Sequence, residues 1–130
     1  MKILLPPGWP RPKGYSNGMA AKGRMIFTAG VVGWDEREFF VSMDLVGQFA
    51  QALRNILAIL AVDGARADNL VRLTIYVTSI DDYLANLPAI GACWADILDG
   101  HYPTVALVEV SRLVDPRAKV EIEATAVVPE

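Results

Sequence analysis

The chain has 130 residues, 53% of them hydrophobic, and a formal net charge of −3. That length suits one domain, residues 1–130, which buries about two-thirds of its unfolded surface and needs no disulfide or metal staple. The acidic balance gives no electrostatic footprint for nucleic acid or an anionic membrane. Cys93 is the only cysteine, which excludes an intrachain disulfide and fits a reducing compartment.

Met1 to Leu5 begins like a signal peptide, but Pro6 and Pro7 end the apolar run too early. No apolar run reaches transmembrane length, so a soluble cytoplasmic protein is expected. Residues 1–14 are rich in Pro, Gly and Lys and read as an irregular arm. A strand is expected within 15–22, with Lys22-Gly23 as a hairpin turn. Arg24 to Val32 is β-rich and interrupted at Ala29-Gly30; a glycine inside such a run marks a bulge or a close backbone approach. Residues 33–40 read as a loop with a charged centre.

Ser42 or Asp44 then caps a helix. Val46, Phe49, Leu53, Ile56, Leu57 and Leu60 recur at helical spacing, while Gln48, Gln51, Arg54 and Asn55 fill the other face. Gly64 is placed to end it. Leu70 to Ser79 is a β-branched run that predicts a buried strand. Ser79 and Asp82 resemble a capping box, Pro88 cannot sit deep in a helix, and the reading is a short turn at 81–85 followed by a helix over 87–98. Ile90, Trp94, Ile97 and Leu98 face inward, and Gly100 ends it. Residues 105–110 and 119–128 are the last strands.

The order β-β-α-β-α-β-β predicts an α+β fold: a mixed sheet with both helices on one face and right-handed crossovers giving parallel pairs. The uncovered sheet face reads as too apolar for water, and the mean hydropathy of +0.31 is high for a small monomer. A closed oligomer with those faces meeting in the middle is the expectation.

In the last strand Val120, Ile122, Ala124 and Ala126 alternate with Glu121, Glu123 and Thr125. The two acids share a face, about 7 Å apart along the strand. Carboxylates so placed are candidates for acid–base work; a solvated outer face is the plainer reading. Other chemistry is sparse. One His101 and one Cys93 exclude a Cys/His zinc site of the usual spacing, and no metal is expected. There is no phosphate loop, dinucleotide fingerprint or nucleophile elbow. Cys93 reads as a buried thiol, His101 as a cap or surface group, and Trp94 as core. Trp9 and Trp34 lie in loops, where Trp34 either lines a pocket or covers a neighbour.

Four segments together resemble the reactive intermediate deaminase (Rid, or YjgF) superfamily. They are Gly14-Tyr15-Ser16-Asn17-Gly18, Phe27-Thr28-Ala29-Gly30, Val71 to Thr78, and Val120-Glu121-Ile122-Glu123-Ala124. Gln51 to Ile56 fits too, and the resemblance spans about residues 14–128 in the family's order. It implies a chorismate-mutase-like fold and a homotrimer with small-molecule clefts between subunits. It also implies cofactor-independent hydrolysis of reactive enamines or imines. By position, Tyr15 would line the cleft, Gly30 would offer a backbone amide and Glu121 would orient the attacking water. Glu123 has no such role in the family.

Two departures narrow the expectation. The deaminating members carry an arginine that clamps the substrate carboxylate, and Val105 stands in its place within Tyr102-Pro103-Thr104-Val105-Ala106. Ala29 replaces the usual serine before the cleft glycine. A charge-assisted bond contributes roughly 1.5–3 kcal/mol, about ten- to hundredfold in affinity. The expected enzyme therefore acts on an imine, enamine or related reactive carbonyl compound larger than 2-aminoacrylate, with Trp34 as a candidate wall. Arg24 and Arg112 are the alternative clamps, and nothing in the sequence places either one in the cleft. The alternative is a non-catalytic trimer that binds a small ligand in the same cleft, and a third is a vestigial cleft on a scaffold.

Overall fold

The computed structural model describes residues 1–130. In chain order the elements are β1 (Lys2–Leu4), β2 (Gly18–Ala20), β3 (Arg24–Phe27), β4 (Val31–Val32), α1 (Leu45–Val62), β5 (Leu70–Val77), α2 (Ile80–Ala85), α3 (Leu87–Ile97), β6 (Thr104–Glu109) and β7 (Val120–Val128). A 3₁₀ turn at Ala67–Asn69 leads into β5.

The terminal strand β7 runs through the sheet interior. It pairs antiparallel with β3 and β4 on one side and with β5 on the other. Strand β6 completes the sheet, parallel to β5. The order is β3-β7-β5-β6, so the α+β mixed sheet stands as expected. Both β3 and β5 oppose β7 and therefore run parallel to each other. The α1 crossover thus produces no adjacent parallel pair, because β7 is inserted between its two strands.

One face of the sheet carries the core. Leu73, Ile75 and Val77 of β5 and Val120, Ile122, Ala124 and Ala126 of β7 are buried at every second position. Phe49, Leu53, Ile56 and Leu60 of α1 meet them, each fully buried. Burying a side chain of this size contributes about 1.5–3 kcal/mol. Phe49 stacks on Trp94 of α3 with ring centroids 6.0 Å apart, which ties the two helices together.

Local chemistry sets the helix ends. Asp44 caps α1, its Oδ1 accepting from the Gly47 N–H at 2.7 Å. Gly64 ends it at φ 76° and donates to the Ala61 carbonyl. Ser79 caps α2 by accepting from the Asp82 N–H, so residues 80–85 form a helix and not the expected turn. Pro88 lies in the first turn of α3, where no N–H is missed.

Four other expectations are corrected. Lys2–Leu4 of the arm is a strand, paired with Gly18–Ala20. Strand β2 therefore pairs with β1 and not across Lys22-Gly23 with β3. Gln48 is not on the polar face but fully buried. Its Nε2 donates to the Ser42 and Arg117 carbonyls, and its Oε1 accepts from the Lys119 N–H. Finally, α1 is long and apolar enough to span a bilayer by composition, with a mean hydropathy of 1.5; its buried stripe packs on the sheet.

The face away from the helices is also not what its composition implied. Thr74, Tyr76, Glu121, Glu123 and Thr125 occupy it, half-buried, because the period-two pattern sends every second residue there. Exposed apolar side chains remain at its margins, notably Phe27 of β3 and Val108 of β6. The face is mixed, so apolar character alone does not demand a partner.

Candidate functional site

The edge strand breaks opposite the two acids. Phe27 pairs with Thr125 and Val31 with Ile122, so residues 28–30 face only Glu123 and Ala124. This is the bulge predicted from Gly30, with one residue more than its partner. Thr28 holds it closed: its N–H donates to the Ala124 carbonyl, and its Oγ1 accepts from the Ala124 N–H at 3.0 Å.

Glu121 fills the space the bulge opens. A β-carbon at position 30 would meet Glu121 Oε2 at 2.5 Å and Cδ at 2.7 Å. Only glycine lets the carboxylate approach. No carbonyl or side chain of the chain accepts from the Gly30 N–H, and Glu121 takes part in no ion pair. Glu123, two residues on, accepts from the Tyr76 hydroxyl at 2.7 Å. That bond raises the tyrosine pKa, with help from burial and the two carboxylates. The structure thus separates two acids that spacing could not: one is engaged by a neighbour and one is free.

Gly30, Trp34 and Glu121 line one groove of about 810 Å³, with Asn55 and Ile59 of α1 on its far side. Its walls are braced. Asn55 Nδ2 donates to the Val32 and Trp34 carbonyls at 3.1 and 2.7 Å, and Gln51 donates to Asn55 Oδ1 at 2.8 Å. The Trp34 ring meets Phe40 edge-on with centroids 5.8 Å apart, and the Arg117 guanidinium lies 4.8 Å above the Phe40 ring. Arg117 also grips Asp115 through Nε at 3.1 Å and a terminal nitrogen at 2.8 Å. This side-chain bond first, then the Arg117 backbone N–H, holds the Asp115 carboxyl below the usual range.

Tyr15 and Val105 lie elsewhere. They line a second cavity of about 510 Å³ between β6 and α3, with Trp94 and Leu107. Ser16 places Tyr15 there: its N–H donates to the Pro103 carbonyl and its Oγ to the Tyr102 carbonyl at 2.6 Å. This cavity sits at the β6 edge of the sheet and the Glu121 groove at the β4 edge. The five expected site residues therefore fall into two groups on opposite edges of one chain.

Neither replacement clamp reaches either cavity. Arg24 is paired with Asp63 at the end of α1, and Arg112 lines neither. Cys93 is half-buried and packs against the core. His101 Nε2 lies 2.7 Å from the Leu70 carbonyl, to which it donates in the matching tautomer, so it ties a loop to β5. Trp9 is exposed. Sequence reasoning missed the bracing by Asn55 and the Phe40–Arg117–Asp115 array. The Gln51/Asn55 spacing of four was the only available signal for the former.

The sequence profile of the family described as Endoribonuclease L-PSP matches residues 10–128. The chain belongs to the Rid/YjgF superfamily. It is 31% identical over 105 residues to the 2-iminobutanoate/2-iminopropanoate deaminase of Salmonella typhimurium, covering 81% of this chain and 80% of that one. Among solved structures, the Rid family protein YyfB of Yersinia pestis, described as of unknown function, superposes with a TM-score of 0.85 at 32% identity over 98% of both chains. Escherichia coli TdcF, solved with bound serine, superposes with a TM-score of 0.69 at 27% identity, over 98% of this chain and 99% of that one. At family level this supports a Rid-type deaminase.

Proposed function

We propose that the chain is a cofactor-independent hydrolase of a reactive imine or enamine, acting in a cleft between subunits of a homotrimer. The free Glu121 carboxylate against the Gly30 backbone carries this reading. A carboxylate with no partner in its own chain is available to accept a proton from water as the oxygen adds to the imine carbon. The imine nitrogen takes a proton, the carbon–nitrogen bond of the resulting carbinolamine breaks, and ammonia leaves with a carbonyl product. The Gly30 N–H, which has no acceptor within the chain and belongs to a residue lining the same groove, would orient the substrate by donating to it.

The two residue groups support the assembly. Half-sites on opposite edges of one chain are brought together by a head-to-tail interface, which makes a ring where its rotation closes and a filament where it does not. In a trimer, the Tyr15–Val105 cavity of one subunit would complete the Glu121 groove of the next. Light scattering is expected to give three times the 14.2 kDa chain mass.

The reaction test is ammonia release from imines generated by an amino acid oxidase. Wild type is expected to exceed Glu121→Ala by about 10²–10⁴-fold, the range for a positioned acid–base group. Equal rates would remove the role of Glu121. Val105 favours a second reading, a trimer that binds a ligand without turnover, because an aliphatic side chain holds no carboxylate. Tight binding with no ammonia release from any imine would select it.

A further inference from the structure

The cavity between β6 and α3 has a composition that the reaction alone does not explain. Tyr83, Trp94, Tyr102 and Leu107 form much of its wall, and Lys13 is the only charged residue on it. Lys13 forms no ion pair within the chain. Its position is set locally. Gly14 turns the backbone at φ 82°, a left-handed value that other residues resist. Two residues on, Ser16 is bolted to the carbonyls of Tyr102 and Pro103.

Gly91 adds an independent observation. It lies within α3, where glycine weakens a helix, and it lines this cavity. No atom lies within 4 Å of where its β-carbon would stand. The glycine is therefore not relieving a clash. It leaves open space over an aromatic wall.

We propose that this cavity takes a 2-imino or 2-oxo acid with a bulky apolar side chain, its ring against the aromatic wall and its carboxylate on the Lys13 ammonium. The volume of about 510 Å³ lies within the range of small-molecule sites. A single cation beside an apolar wall matches a ligand with one anionic end and one apolar end. Lys13 supplies from the arm the charge that Val105 does not supply from β6. The identity of the reacting carbon rests on the hydrolase reading; the recognition of ring and carboxylate is a binding property of the cavity.

Calorimetry on the full chain with phenylpyruvate, pyruvate and 2-phenylethanol tests it. Wild type is expected to bind phenylpyruvate more tightly than either other probe. Lys13→Ala is expected to weaken phenylpyruvate about tenfold and leave 2-phenylethanol unchanged, with Lys13→Arg restoring the acid. Gly91→Leu fills the open space with a better helix former, so it is expected to fold and to lose both aromatic probes. Unchanged phenylpyruvate binding in Lys13→Ala or Gly91→Leu, or pyruvate bound as tightly as phenylpyruvate, overturns the proposal. Phenylpyruvate binding without turnover of any imine removes the hydrolase and keeps this assignment. Turnover of small imines with no phenylpyruvate binding does the reverse.

Discussion

The Glu121 carboxylate rests against Gly30 so closely that a β-carbon there would come within 2.5 Å of Oε2. Gly30→Ala must therefore move the carboxylate, while the surrounding bulge, held by Thr28, survives. The expected result is a folded protein with hydrolysis reduced toward that of Glu121→Gln, by about 10²-fold or more. Circular dichroism checks the fold and ammonia release the rate. A Gly30→Ala enzyme as fast as wild type would show that Glu121 does not act from this position.

Val105→Arg returns a guanidinium to the β6 edge beside Tyr15. It is expected to confer hydrolysis of 2-iminopropionate, because a fork of donors holds a small carboxylate that Lys13 alone holds weakly. Steady-state kinetics with that substrate decide. No gain, in a variant that remains folded, would mean that more than the clamp differs from the deaminating relatives.

Gln48 is a buried amide with three hydrogen bonds, and it anchors the β6–β7 loop to α1. Gln48→Leu leaves two carbonyls and the Lys119 N–H without a partner. The expected loss is about 2–4 kcal/mol by urea unfolding, since an orphaned buried group costs about 1–3 kcal/mol. A loss under about 1 kcal/mol would mean that water replaces the amide.

Asp44 gives a pH signature. The Gly47 N–H, more than any other group, lowers its pKa below the ordinary 3.8. A lowered folded-state pKa means that the cap's electrostatic contribution is fully present above the unfolded value and is lost as pH falls through the folded one. Asp44→Ala is expected to cost about 1 kcal/mol at neutral pH. The deficit relative to wild type should narrow below pH 3.8. A deficit that stays constant with pH would assign the cap's value to geometry and not to charge.

What the sequence made legible was whatever a short-range period controls. The alternation in β7, the α1 stripe from Phe49 to Leu60 and the bulge at Gly30 all follow from spacing 2 or 3.6 and from one missing side chain. What stayed hidden needed long-range partners. Gln48 sits on the polar side of a helical wheel, and only the distant Arg117 and Lys119 make its burial tolerable. Lys2–Leu4 is too short to read as a strand without Gly18–Ala20 beside it. Glu121 and Glu123 look alike along the chain; Tyr76, from another strand, and Gly30, across the bulge, tell them apart. The division of Tyr15 and Val105 from Glu121 follows from strand order, which element spacing does not encode.

The bulge at residues 28–30 has a second consequence. Strands β3 and β4 form an outer edge of the sheet, with ladder groups on one side that no strand of the same chain pairs. A long, regular edge of that kind invites strand addition from another molecule and aggregation. An extra residue bends the edge and breaks its hydrogen-bonding rhythm. The irregularity that makes room for Glu121 therefore also guards the edge, so straightening it is expected to lower colloidal stability together with activity.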